Sequence, residues 1–190
     1  MTTTNNNCDR IIESILDLFD HRGSEEYMGE PVSMAQHMEQ SAACAAADDA
    51  PESLVVAALL HDIGHFVGDH PIDALENGID NLHQDAGADY LKPWFPAAVT
   101  EPIRLHVAAK RYLCATDEAY FGRLSDASVN SLNVQGGPMS AQEINRFEAN
   151  PWHQDAVKLR LYDDDGKVAG LSIEPVTAYR AVMASQLAAR

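Results

Sequence analysis

Positive charge is scarce in this sequence: 13 Lys and Arg stand against 29 Asp and Glu, a net charge of −16. Such a surface repels phosphate backbones and anionic lipid at long range, which argues against nucleic acid or a membrane as partner. Cysteine is sparse as well. Cys8, Cys44 and Cys114 lie far apart with no C-x-x-C pair, so they read as free thiols of a reducing compartment rather than a disulfide framework. No apolar run reaches the length of a membrane span, and the opening MTTTNNNCDR lacks the apolar core of a secretory signal. A soluble, cytoplasmic protein is expected. Segments alternating at period two are few, which leaves little room for a sheet. Internal repeats and linker-like stretches are missing too, so residues 1–190 read as one domain.

Helical patterning is plentiful. From Asp9 the apolar residues Ile11, Ile12, Ile15, Leu16 and Phe19 recur at helical spacing, up to Gly23, after a polar and frayed start over residues 1–8. The stretch 24–32 reads as a loop, and Ser33 as the N-cap of an alanine-rich helix ending near Asp48 and Asp49. Pro51 suits the first turn of a third helix running through PESLVVAALLHDIGH, with a loop through Pro71 after it. Further helices are expected over roughly 80–92 (stopped by Pro93), 96–114, 117–123, 140–149, 151–162 and 175–189. Ser140 and Glu143 form a capping box, and Gly136-Gly137-Pro138 a tight turn. The fold class is therefore all-α, a helical bundle.

Eight histidines are present, and four of them are evenly placed. His37, His61, His83 and His106 follow one another by 24, 22 and 23 residues, about one helix plus its connection. Each predicted helix can thus project one imidazole to the same depth, and neutral imidazole is the commonest metal ligand. Asp62 adjoins His61, so the two side chains diverge by about 100° and one can bridge towards a second ion. His21, His70 and His153 have no such place in the pattern. A pocket holding metal ions has its own positive field, so the acidic surface does not exclude a small anionic substrate.

HDIGH within LVVAALLHDIGH resembles the HD-domain superfamily, and the order H…HD…H…H…D resembles its dinuclear branch. That resemblance implies that His37, His61 and a late Asp hold one iron, that Asp62 bridges, and that His83 and His106 hold the other. LRLYDDDGK offers Asp163, Asp164 and Asp165 for the last place. Similarity to the inositol-oxygenase branch points to Asp163, with Lys167 in register. The segment 124–167, together with EEYMGEPVSMAQHMEQ and HDIGH, looks like the HD-domain oxygenases of phosphonate-degradation operons. Membership there implies an Fe(II)/Fe(III) pair, O2 as co-substrate, and cleavage of (R)-2-amino-1-hydroxyethylphosphonate to glycine and phosphate. It also implies that Tyr27 occupies an iron position at rest, that Glu30 receives the substrate amine, and that His65 contacts the substrate or supports the ligands from behind. Lys110, one turn after His106, is implied in phosphonate binding, as are Arg160, one turn before Asp163, and Ser128.

Two other readings stand beside it. Many HD proteins are metal-dependent phosphohydrolases, often with Lys where this chain has His65, and the cyclic-dinucleotide branch carries a GYP motif absent here. A ligand-sensing domain that kept the fold is the third. Within the oxygenase reading, a related enzyme takes the N-trimethylated substrate. A quaternary ammonium is usually held by an aromatic cage, whereas Glu30 suits an amine that can donate hydrogen bonds.

Overall fold

The computed structural model describes residues 2–68 and 78–188, with side chains from residue 7 to 187. The loop expected through Pro71, with His70, lies outside the described residues. The rest forms ten α-helices: α1 (Thr2–Arg22), α2 (Met34–Ala47), α3 (Glu52–Leu60), α4 (Gly64–Val67), α5 (His83–Leu91), α6 (Ala97–Thr116), α7 (Asp126–Val134), α8 (Ala141–Glu148), α9 (His153–Asp165) and α10 (Arg180–Ala188). Short 3₁₀ turns cover Phe121–Arg123 and Val176–Tyr179. Among the described residues the one β-bridge joins Glu26 and Ser33, so the all-α expectation holds.

Helix α3 is the axis of the bundle. Every residue from Leu54 to Leu60 is buried, as an apolar-all-round helix requires. Helices α2, α6 and α9 pack against it, α2 and α6 each pack on α9, and α5 packs on α6. Two capping boxes read from the sequence are present: Ser33 with Gln36 opens α2, and Ser140 with Glu143 opens α8. The Gly136-Gly137 turn is also present, with φ of 98° and 70°.

Four expectations need correction. The third helix does not run through the HD pair. It stops at Leu60, and i→i+3 bonds from Ile63 to Leu60 and from His65 to Asp62 make a tighter turn before α4. Helix α5 begins at His83 rather than near Asp80, because Leu82 takes a left-handed conformation with φ 48°. Residues 126–134, for which no helix was expected, form α7 with Ser125 as N-cap. The polar start read as frayed is helical from Thr2.

The stretch after the HD pair is held by backbone contact. A Cβ on Gly64 would sit 1.8 Å from the His83 carbonyl oxygen and 2.9 Å from the Gly87 nitrogen, so α4 meets α5 through glycine. Gly64→Ala must therefore push His83 away. We expect a loss of roughly 1–3 kcal/mol, the usual range for overpacking. At about 2–4 °C per kcal/mol for a chain of this size, calorimetry resolves it. A variant with unchanged Tm would show that the α4–α5 contact is looser than these distances say.

Candidate metal centre and active site

The five elements deliver their ligands to one depth. His37 lies in the first turn of α2, His61 caps α3, Asp62 follows in the turn, His83 opens α5, His106 lies in the middle of α6, and Asp163 in the last turn of α9. All six are buried. The Nε2 atoms of His37 and His61 stand 3.1 Å apart, and those of His83 and His106 also 3.1 Å. Between these pairs lies the Asp62 carboxylate. Its Oδ2 is 3.6 Å from His37 Nε2 and 3.4 Å from His61 Nε2, while its Oδ1 is 3.3 Å from His83 Nε2 and 3.6 Å from His106 Nε2. Asp163 Oδ1 completes the first cluster, 3.4 Å from His37 Nε2.

The opposite ring nitrogens decide what this cluster can hold. His37 Nδ1 donates to the Gly166 carbonyl, His61 Nδ1 to Ala58, and His106 Nδ1 to Ile103, at 3.0, 2.9 and 2.8 Å. His83 Nδ1 donates to Asn81 Oδ1 at 2.9 Å. With every Nδ1 a donor, each neutral ring turns a bare Nε2 lone pair towards another lone pair or a carboxylate. Lone pairs 3.1 Å apart repel unless a proton or a metal ion lies between them. Asp163 Oδ1 is buried without a hydrogen-bond partner among the described residues. Imidazole nitrogens and carboxylate oxygens in two groups sharing Asp62 fit a pair of divalent or trivalent ions.

The electrostatics agree. Burial, then the neighbouring His61 charge, pushes His37 down to about 3. Burial also acts downward on His61, but the Asp62 carboxylate outweighs it and lifts His61 to about 9. Asp62 and Asp163 stay well below the usual carboxylate range. Burial opposes this for both, while His61 stabilises the ionised Asp62 and Arg160 the ionised Asp163. A proton on His61 thus takes up positive charge that a metal would supply.

Beside the ligands is a cavity lined by Tyr27, Glu30, Lys110, Ser128, Arg160 and Lys167, together with Asp62, His83, His106 and Asp163. Its free volume is only about 30 Å³, room for one or two waters. Tyr27 stacks on His37 with ring centroids 3.9 Å apart and closes one wall. Burial first, then the Asp62 and Asp163 charges, raises its phenol pKa well above the ordinary value, so without a metal it is neutral. Glu30 Oε1 accepts from Ser125 Oγ and lies 3.9 Å from Lys167 Nζ. Lys110 Nζ donates to Ser131 Oγ at 2.6 Å, and no carboxylate among the described residues reaches it as an ion pair.

Two of the expected substrate contacts are placed differently. Arg160 is neither a surface residue nor a free fork. It donates from Nη1 to Asp163 Oδ2 at 2.5 Å and pairs through Nη2 with Asp164, because the acidic run of α9 puts both carboxylates one turn from it. Its link to the cavity is Nη2 to Ser128 Oγ at 3.3 Å. His65 does not line the cavity at all: it stacks on His83 at 4.2 Å, and its Nδ1 accepts from Asn81 Nδ2. Burial, then the His83 charge, holds it down near 3. Asp165 is exposed, which leaves Asp163 at the cluster and Asp164 on Arg160. His21 and His153 bond to nearby backbone carbonyls away from the site.

Sequence reading missed Asn81, Ser131, Gln135 and any site role for Lys167. Asn81 bridges His65 and His83, and the other three line the cavity. No spacing rule marks them, because they reach the site only after α7 and the turn before α5 fold against α6.

An HD domain model matches residues 31–126, which include five of the six candidate ligands and leave out only Asp163. The chain is 49% identical over 161 residues to the [1-hydroxy-2-(trimethylamino)ethyl]phosphonate dioxygenase (glycine-betaine-forming) of Leisingera caerulea, covering 85% of this chain and 82% of that one. It is 43% identical over 177 residues to the hydroxymethylphosphonate dioxygenase of Gimesia maris, covering 93% and 88%. An uncharacterised protein of Acanthamoeba polyphaga mimivirus is 35% identical over 189 residues. With the HD pair at the centre of its buried ligand cluster and such relatives along most of its length, the chain belongs to the HD-domain family, in the branch of the phosphonate dioxygenases.

Proposed function

We propose that this chain is an O2-dependent dioxygenase that breaks the carbon–phosphorus bond of a 1-hydroxyalkylphosphonate at a pair of iron ions. The observation that carries the reading is the Asp62 carboxylate, with one oxygen towards each pair of imidazoles. His37, His61 and Asp163 would hold one iron, His83 and His106 the other, and Asp62 both. When bound, an Fe(II)/Fe(III) pair supplies Lewis acidity towards the substrate oxygens and electrons for O2.

The protein's own groups do the rest. Lys110, Ser128 and Ser131 present an ammonium and two hydroxyls to the phosphonate. Tyr27 covers His37 and must swing aside, since the closed cavity is too small for a phosphonate. Glu30 lines the same cavity, and the primary ammonium of a bound substrate would replace its present partners Ser125 and Lys167. The preferred substrate is therefore (R)-2-amino-1-hydroxyethylphosphonate. The balance is complete: the C1–P and C1–H bonds break, O2 is the oxidant, C1 leaves as the carboxylate of glycine, and phosphorus as phosphate.

One observation favours a second substrate: the relative that is 49% identical is named for the trimethylammonium compound. Against this, Tyr27 is the single aromatic residue on the cavity wall among the described residues, too few for a cage. Phosphate release and O2 uptake should be followed on iron-loaded protein with the primary-amine, trimethylated and hydroxymethyl compounds. We expect O2-dependent release, with highest kcat/KM for the primary amine. Phosphate release without O2 would turn the reading into a phosphohydrolase, and preference for the trimethylated compound would reverse the substrate.

A further inference from the structure

Arg160 must do two things that conflict. Its guanidinium has to hold Asp163 in place, yet a full positive charge on that carboxylate competes with any metal the carboxylate is to bind. Its remaining donors resolve the conflict. Nε donates to the Tyr120 hydroxyl at 2.9 Å and, more weakly, to Asp164 Oδ2 at 3.3 Å. Nη2 pairs with Asp164 Oδ1, and the Tyr120 hydroxyl donates to Asp164 Oδ2 at 2.5 Å. Arg160, Tyr120 and Asp164 thus close a ring of hydrogen bonds on the side of Arg160 away from Asp163. Tyr120 is 2% exposed, and neither it nor Asp164 lines the cavity.

We infer that Tyr120 and Asp164 are positioning residues for the metal centre: they hold Nε and Nη2 of Arg160, so that it meets Asp163 through Nη1 and Oδ2 alone and leaves Asp163 Oδ1 to bind metal. The geometry bears directly on this. Arg160 Nη1 takes Asp163 Oδ2, and Oδ1, turned towards His37 Nε2 at 3.4 Å with Lys167 Nζ 3.6 Å away, keeps no hydrogen bond among the described residues. Asp164 carries the second half of the division, since it takes Nη2 and part of Nε and leaves Asp163 only Nη1. If Asp164 lost its charge, Arg160 would fall wholly on Asp163. The effect is confined to the cluster of His37, His61 and Asp163. The cluster of His83 and His106 sits across Asp62 and shares no atom with Arg160.

This inference rests on the proposed ligand role of Asp163. The test is titration of metal-free protein with Fe(II) under anaerobic conditions, wild type beside Asp164→Asn and Tyr120→Phe. Wild type should bind two ions. In Asp164→Asn, one of the two should weaken by roughly 10–100-fold, the scale of lost outer-sphere partners, and the other should bind as in wild type. Tyr120→Phe should move the same ion in the same direction by less, and Asp164→Glu should restore part of the affinity. Equal weakening of both ions with a lowered Tm, or no change in either variant, would overturn the inference by showing a merely structural ring. Should Asp164→Asn fail to fold, Tyr120→Phe alone decides, since its hydroxyl touches no ligand. Fewer than two ions in wild type would overturn the two-cluster reading itself, and this inference with it.

Discussion

Replacing Asp62 with alanine is expected to abolish turnover and to cost the chain both metal ions, whereas His83→Ala should cost only one. The difference follows from position. Asp62 lends Oδ2 to the cluster of His37 and His61 and Oδ1 to that of His83 and His106, so a single truncation opens both. His83 touches the second cluster alone. Loss of an outer-sphere partner lowers metal affinity by about 10–100-fold, and removal of the shared ligand must exceed that. The fold should survive, because His61, held protonated by Asp62, can give up its proton once the carboxylate is gone and so leaves no unpaired buried charge. Metal analysis after dialysis against a weak chelator, with circular dichroism as the control, reads the result. An Asp62→Ala protein that keeps two ions per chain and turns over within tenfold of wild type would show that Asp62 does not hold the two ions together.

The convergence of four imidazoles on Asp62 was legible before any coordinates because it depends on periodicity and chemistry, whereas Asp163 was singled out only by resemblance to the inositol-oxygenase branch. Imidazoles 22 to 24 residues apart on successive helices must converge in a bundle, and His61-Asp62 offers adjacent donors. The capping boxes at Ser33 and Ser140 were legible for the same reason, since their chemistry is complete within four residues. What escaped depends on contacts across the chain. The end of α3 at Leu60 is not announced by Gly or Pro, and the tight turn there is set by close approach of Gly64 to His83. Helix α7 is short and mixed in composition, and its Ser128 and Ser131 become site residues only because Arg160, Lys167 and Lys110 reach them. Arg160 had a face-matched spacing to Asp163 that served equally for a phosphonate contact and for an ion pair. The structure shows ion pairs with both Asp163 and Asp164 and keeps Arg160 on the cavity wall.

The pH profile of kcat/KM should fall on the alkaline side with a midpoint near 7, and Lys110 is the group responsible. Burial first, then the like charge of Arg160, brings its ammonium down to about 7, with Asp163 and Asp164 opposing. Its pKa lies below the ordinary value of about 10.4, so raising the pH through 7 removes the charge in the empty cavity. The phosphonate then meets a neutral amine. A bound dianion favours the charged form, so kcat, measured on the complex, should hold to higher pH than kcat/KM. On the acid side, ionisation of the phosphonate itself, near 6 by analogy with phosphate esters, sets the other limb. Lys110→Met should lose the alkaline limb together with roughly 10–200-fold in kcat/KM, the equivalent of a charge-assisted hydrogen bond of about 1.5–3 kcal/mol. Lys110→Arg keeps its charge throughout and should lose the limb while retaining more of the activity. A methionine variant within twofold of wild type, or an arginine variant with the limb still at 7, would remove Lys110 from phosphonate binding and leave its contact with Ser131 as packing.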